Sequence, residues 1–412
     1  MNTKTLLIIG FVWPEPNSSA AGRRMLELIA FFQQWHYKIS FASTALENEH
    51  NFDLKLLGVE TISIQLNSDS FDAVLANVNP DVVLFDRFTT EEQFGWRISK
   101  NCPLALKILD TEDLHSLRLV RGIKLKQNTA FELHHLLTET ITKREIASIL
   151  RCDLTLVISE FEHDLLANFF KIDRALLFYL PIVFSDEELK YQSALDFESK
   201  KDFMFIGNFW HEPNWDAVLY LKKEVWPRLR TLLPEVKLHI YGAYPSQKVF
   251  DLQNKKENFY VHGRASNAQK VMDEARVVLA PLRFGAGIKG KLIEAMQVRT
   301  PSVTTSIGAE AINGAFEWNG FIADIPSEIA SKAVELYKNE ALWLKAQAQG
   351  TLILQNRFRK VDFETSFKAC IENIMSNLPS HRMHNFMGAV LSHHSMRSTE
   401  YMAKWIEAKN KT

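Results

Sequence analysis

From Pro281 to Glu294 the chain reads PLRFGAGIKGKLIE, with Gly285, Ala286, Gly287, Ile288, Lys289, Gly290 and Lys291 in unbroken succession. Glycines let a backbone approach a ligand closely, and the apolar spacing that resumes at Leu292 predicts a helix opening near Lys289. Exposed amides at a helix N-terminus, the positive end of its dipole and two lysine side chains together suit an anion such as a diphosphate. A Walker loop would need Ser or Thr after its lysine to hold magnesium, and a dinucleotide fold would need G-x-G-x-x-G; the stretch has neither spacing. Glu294 falls on the following turn. There its carboxylate either accepts two hydrogen bonds from a ribose diol or pairs with a neighbouring lysine. Lys291 is open in the same way between phosphate and solvent.

Together with TPSVTTSIGAEAI (Thr300 to Ile312), this stretch is similar to the donor-site signature of retaining GT-B glycosyltransferases of family four, the glycosyl transferases group 1 type. In that family glycines, a lysine, a helix glutamate and a later G-A-E-G-like turn recur together. FIGNFWHEPNWDAV, WPRLRTLLPEVKLHIYG and VISEFEHDLL add to the resemblance, which covers most of the chain and is weaker in its first half. It implies a two-domain fold and transfer of a sugar from a nucleoside diphosphate sugar to an acceptor hydroxyl with retention. The acceptor is a glycan, a glycolipid or a glycoprotein. Lys289 and the helix N-terminus would stabilise charge on the leaving diphosphate, and Glu294 would hold the ribose.

The departures from the family pattern are specific. Many members carry two glutamates separated by seven residues; here Glu294 keeps the second place and Ala286 stands in the first. Sugar contacts are then expected from the backbone of Gly285 to Ile288. Members also often carry an arginine and a lysine after the first donor-domain strand, where this chain has Gly207 and Asn208 followed by FWHEPN. Lys289 is expected to take over part of that charge.

In the first half, the strand ending at Asp110 runs into DTEDLHSLR, a polar cluster where many GT-B enzymes present a histidine or acidic residue to the donor sugar. Asp113 and His115 are the candidates for catalysis beside Lys289, with Asp110, Glu112 and Arg118 close by and the register open by a few residues. A purely structural His115 is the alternative. The loop PEPNSSAAGRR places Gly22 at a helix start, with Arg23 and Arg24 next to it; similar enzymes bring this loop near the donor phosphates. At least one of the two arginines is expected to be surface charge only.

These residues need a scaffold that gathers loops. Short apolar, β-branched runs from Leu6 to Phe11, Lys38 to Ala42, Val82 to Asp86, Leu104 to Asp110 and Leu154 to Ser159 alternate with segments of helical period. The pattern restarts at Asp202, and it predicts an α/β protein of GT-B type: two doubly wound parallel-sheet domains facing across a cleft. The first covers residues 1–195 and the second 196–380, joined by a polar linker from Pro181 to Lys201; residues 381–412 form a helical segment returning to the first domain. Between Trp215 and Leu233, apolar residues at Ala217, Val218, Leu221, Val225, Leu229 and Leu232 predict one helix packed on the second sheet.

Composition narrows the partners. The 412 residues carry 48 Lys and Arg against 49 Asp and Glu, so a net charge of -1 gives no overall field for nucleic acid. Cys102, Cys152 and Cys370 are too few and too far apart for a disulfide framework or a zinc site, which fits a reducing cytoplasm. No Asp-x-Asp ends a central strand and the histidines lack ligand spacing, so neither a metal nor a cofactor is expected. No uncharged apolar stretch approaches the roughly 20 residues that span a bilayer. Arg118, Arg121, Lys124 and Lys126 alternate with leucines in LHSLRLVRGIKLKQ, which suits an anionic lipid surface or, the favoured reading, a solvated basic edge. Two other functions remain compatible: a nucleotide-sugar epimerase, and a nucleotide-sugar-binding protein that has lost catalysis.

Overall fold

The structure is a computed structural model and describes residues 3–191 and 193–411. Apolar runs flanked by helices on both sides become fully buried parallel strands, and this happens twice. In the first domain β1 (Thr5–Gly10), β2 (Lys38–Ser43), β3 (Glu60–Ser63), β4 (Val82–Asp86), β5 (Leu106–Asp110), β6 (Leu154–Val157) and β7 (Leu177–Tyr179) form one sheet ordered β3-β2-β1-β4-β5-β6-β7. In the second, β8 (Lys201–Ile206), β9 (Leu238–Tyr241), β10 (Phe259–Gly263), β11 (Ala275–Ala280), β12 (Ser302–Thr304) and β13 (Gly320–Ile322) are ordered β10-β9-β8-β11-β12-β13. All pairings between neighbouring strands in the two sheets are parallel. The strand order reverses beside β1 and beside β8, so each sheet opens a crevice at its carboxyl end.

The helix predicted from Trp215 to Leu233 is interrupted. Helix Glu212–Tyr220 passes through a π turn at Leu221–Val225 into helix Trp226–Leu232, whose second residue is Pro227. Proline has no amide to give the preceding turn, and the wider turn accommodates that loss. Ala217, Val218, Leu221, Val225 and Leu229 are buried as the spacing required, whereas Leu232 is exposed.

The chain crosses between domains twice, and the crossings lie side by side. The Phe184 amide donates to the Phe358 carbonyl at 2.7 Å, and the Lys360 amide returns to the Phe184 carbonyl at 2.8 Å. Beyond this pair, helix Lys360–Ser376 packs Phe367, Ile371 and Ile374 into the first domain's core with Leu28, Phe31 and Phe32. The return therefore begins at Lys360, ahead of the residue 381 at which the sequence places the helical segment. Helix Phe386–Lys411 then lies along helix Phe88–Asn101, with Met396 and Ala403 buried against Trp96. Among the described residues, no helix is long and apolar enough to cross a membrane.

Candidate active site

The crevices of the two sheets share one cleft of about 1020 Å³. Its walls are the loops after β1, β2, β4 and β5 on one side and after β8, β9, β10 and β11 on the other. Gly22, Asp113, His115, Gly207, Asn208, Gly285, Ala286, Ile288, Lys289, Lys291 and Glu294 all line it. Gly287 does not. Its backbone is left-handed at φ 62°, and its amide donates at 2.7 Å to Oε1 of Glu162, a first-domain side chain with no exposed surface. A Cβ at Gly287 would sit 2.8 Å from that of Asp113, so both conformation and space demand glycine.

The predicted helix runs from Gly290 to Gln297 and points its N-terminus into the cleft. Lys289 is 8% exposed and donates to the Gly287 carbonyl at 2.9 Å; burial pulls its ammonium below the usual lysine range, against the pull of Glu310. Lys291 is half-buried rather than solvated. Its Nζ donates to Asn214 Oδ1 at 2.5 Å and lies 4.2 Å from the Phe205 ring, and burial pushes its pKa down to about 7. Gly207 leaves the room for it, since a Cβ there would lie 2.7 Å from that Nζ. Burial raises the Glu294 carboxyl against Arg23 and Lys291, but among the described residues it makes no hydrogen bond and no ion pair. Two backbone groups expected to face a donor are occupied: the Gly22 amide caps onto Ser19 Oγ at 3.0 Å, and the Asn208 carbonyl accepts from Asn214 Nδ2 at 2.8 Å.

On the opposite wall, Asp113 pairs with Arg118 and lies 3.5 Å from His115 Nε2. Burial alone would raise the Asp113 carboxyl, but Arg118, His115 and His211 hold it far below the usual carboxylate range. Burial pushes His115 down to about 4 despite Asp113, so its imidazole is neutral near pH 7. Glu112 faces the cleft from a left-handed backbone at φ 61°, and burial with Asp110 and Asp86 holds its carboxyl well above the usual range. Asp110 itself is sealed off. Arg24 meets it with Nε at 3.0 Å and Nη2 at 2.8 Å while Nη1 reaches the Leu180 carbonyl at 2.7 Å, a pin joining helix Ala20–Gln34 to β5 and the chain after β7. Arg23 lines the cleft and pairs with Glu27 and Glu188, each at 3.0 Å. Neither arginine is a mere surface charge.

Three residues that sequence spacing did not single out stand at the cleft or behind its wall. His211 enters from the loop after β8 as a half-buried imidazole pushed down to about 3 by loss of hydration and by Arg118. Glu162 supports the donor loop from below. Arg121, 7% exposed, donates through Nη1 to the Gly285 carbonyl at 2.8 Å and grips both oxygens of Glu310 at 2.8 and 2.7 Å. The basic edge read from the sequence is thus broken: Arg118 and Arg121 turn inward, and Lys126 pairs across the domains with Glu212. Among the described residues, no three His, Cys, Asp or Glu side chains are grouped to hold a metal ion.

Residues 200–339, from the start of β8 to just past helix Pro326–Lys338, match the family described as Glycosyl transferases group 1. They form a glycosyltransferase domain. The fold as a whole is similar to Anabaena Alr3699/HepE in complex with UDP and glucose, at 13% identity over 90% of this chain and 100% of that one, with a TM-score of 0.66. It is similar to a glycosyltransferase from Rickettsia africae at 12% identity over 92% of this chain and 100% of that one, with a TM-score of 0.65. A third likeness is a point mutant of S. aureus TarM in complex with fondaparinux, alpha-GlcNAc-glycerol and UDP, at 16% identity over 74% of this chain, with a TM-score of 0.57. The chain spans 58% of the length of that TarM chain. No curated protein matches the chain in sequence. At such identities the likeness establishes the fold, which is GT-B. The glycosyltransferase domain supplies Gly207, Asn208 and the stretch from Gly285 to Glu294, and the first domain supplies Gly22, Asp113 and His115.

Proposed function

We propose that the protein transfers a sugar from a nucleoside diphosphate sugar to an acceptor hydroxyl on a glycan, glycolipid or glycoprotein, with retention of configuration and without a metal ion. The observation that carries this reading is one cleft shared by the glycine loop, Lys289, Lys291 and Glu294 of a glycosyltransferase domain and by Asp113 and His115 of the facing domain. HepE, of the same fold, binds UDP and glucose, which supports a nucleotide-sugar donor here.

In this reading the diphosphate lies against the N-terminus of helix Gly290–Gln297 and Lys289, with the ribose on Glu294. The Lys289 ammonium, disfavoured by burial, is restored by the diphosphate charge. The acceptor oxygen bonds to the anomeric carbon as the carbon–oxygen bond to the diphosphate breaks, the electron pair leaving with the diphosphate. The acceptor proton passes to the departing phosphate oxygen on the same face. Negative charge grows on the diphosphate during this step, so the helix N-terminus and Lys289 act more strongly on the transition state than on the bound donor. Asp113 and neutral His115 orient sugar hydroxyls.

A thermal-shift screen of nucleoside diphosphates and their sugars tests the donor, since a ligand at 100 times its Kd adds about 2.7 kcal/mol of stability. Stabilisation by none of them overturns the reading. NMR of the product's anomeric proton tests retention, and full activity in EDTA tests metal independence. Ala286 favours a second reading: it is buried in the first domain's apolar cluster with Leu114 and Leu117, where many relatives carry a carboxylate. Donor binding with neither transfer nor hydrolysis across an acceptor panel would make the protein a nucleotide-sugar binder instead, and sugar inversion without acceptor would make it an epimerase.

A further inference from the structure

The loop from Gly285 to Ile288 belongs to the glycosyltransferase domain but is held largely by the other one. Among the described residues its backbone makes three hydrogen bonds: Gly287 amide to Glu162 Oε1 at 2.7 Å, Arg121 Nη1 to the Gly285 carbonyl at 2.8 Å, and Lys289 Nζ to the Gly287 carbonyl at 2.9 Å. The first two cross between domains. A loop with glycines at 285 and 287 has wide conformational freedom, and one internal lysine contact fixes little of it. Glu162 and Arg121, both buried, supply the rest.

We infer that Glu162 and Arg121 of the first domain are positioning residues for the donor loop, so that the shape of the diphosphate site depends on side chains of the facing domain. The inference rests on the donor reading above. Glu162 Oε1 also accepts the Leu114 amide at 3.1 Å, which ties the donor loop to the turn carrying Asp113 and His115. Arg121 extends the grip to Glu310, the residue that ends helix Ser306–Ala309 beside β12, so one guanidinium fixes two loops of the glycosyltransferase domain at once. Around the rim, Tyr244 donates to Glu15 at 2.6 Å and Arg357 to Glu160 at 2.6 Å, again one partner from each domain. A donor that needs the ordered loop then binds the ordered form better than the disordered one, and its affinity falls by the fraction of molecules in which the loop is disordered.

Two measurements on the full chain test this. Hydrogen exchange of the donor-loop amides needs no ligand, and titration calorimetry with UDP-glucose, GDP-mannose and dTDP-glucose reads donor affinity. Arg121→Ala and Glu162→Ala are each expected to speed exchange at Gly287 and weaken the donor by about ten-fold or more, the size of a lost hydrogen bond to a charged or buried group. Exchange in β4 and β11 should stay unchanged, which separates a loosened loop from a protein that no longer folds. Glu162→Gln keeps an acceptor oxygen and should recover most of what Glu162→Ala loses. Arg121→Lys, without the two-pronged guanidinium, should not restore Arg121→Ala. Donor-loop exchange equal to wild type in both alanine variants overturns the inference, as does faster exchange with unchanged donor affinity. Wild-type protein that binds none of the three donors, with exchange responding as expected, sinks the donor reading and leaves the grip standing.

Discussion

Lys289 concentrates the site's electrostatics in one side chain: it is buried, bonded to its own loop and faced by no ion-pair partner among the described residues. Lys289→Ala is expected to lower turnover by about a hundred-fold or more at saturating donor, as loss of one donor to developing charge does elsewhere. Near-wild-type turnover in a steady-state assay would remove it from the mechanism. A depressed lysine that meets a diphosphate also takes up a proton. Calorimetric donor titrations at alkaline pH, in buffers of different ionisation enthalpy, should therefore register net proton uptake, smaller in Lys289→Ala than in wild type because Lys291, lowered to about 7, can take up a proton as well. Glu294 differs, because a ribose contact is the same in ground and transition states. Glu294→Ala should raise the donor KM by about ten-fold with kcat little changed. Lys289 and Glu294 were legible because glycines, lysines and carboxylate follow one another within a single loop and helix. Arg121 and Glu162 were not, since each lies behind the cleft wall and reaches the donor loop from the other domain, and His211, in the same loop as Asn208, belongs to no motif of its own. Arg121 in particular read as one basic residue among four on a helix, and only its bonds to Gly285 and Glu310 separate it from Lys124.

At the scale of elements, the donor loop depends on one residue's backbone. Gly287 is left-handed and touches Asp113, so Gly287→Ala combines a conformational cost of about 1–2 kcal/mol with a collision at 2.8 Å between residues of the two domains. The expected result is a lower melting temperature together with loss of the stabilisation that a nucleotide sugar gives wild type. A variant that keeps both would show the loop to be adaptable. The inner strands were legible because both faces are buried and their apolar runs are continuous. β3 and β13 were not: each is an edge strand of three or four residues with half-exposed positions, so no run survives in the sequence. The break inside Glu212–Leu232 was missed for the opposite reason. Helical spacing continued through Pro227, and the π turn that admits the proline leaves the apolar positions on the same face until Leu232.

For the whole molecule, the two-domain plan was legible because the alternation of strand and helix restarts at β8, whereas the point of return at Lys360 was not, because Phe367, Ile371 and Ile374 would serve either core equally well. The join between the domains carries its own pH signature. Glu162 lies at the junction, packed between the Asp113 turn and the donor loop with Lys289, and burial with Asp113 pushes its carboxyl up to about 8. In the unfolded chain it titrates near the usual 4.5. Between those values the folded protein holds a proton that the unfolded chain has lost, so this group's contribution makes stability fall as pH rises from about 4.5 to about 8. Other buried groups act elsewhere or in opposition: Glu27 and Glu145, each raised to about 7, add to the fall, while His115, lowered to about 4, makes stability rise up to its unfolded value near 6.5. Subtraction isolates Glu162. Glu162→Gln cannot ionise, so its melting temperature should gain on wild type steadily from about pH 5 to about pH 8 and level off above, at roughly 2–4 °C for each kcal/mol in a domain of this size. A gap between the two proteins that stays constant across that range would show that Glu162 is already ionised in the folded protein, paired with Lys289 as a charge rather than held neutral beneath the donor loop.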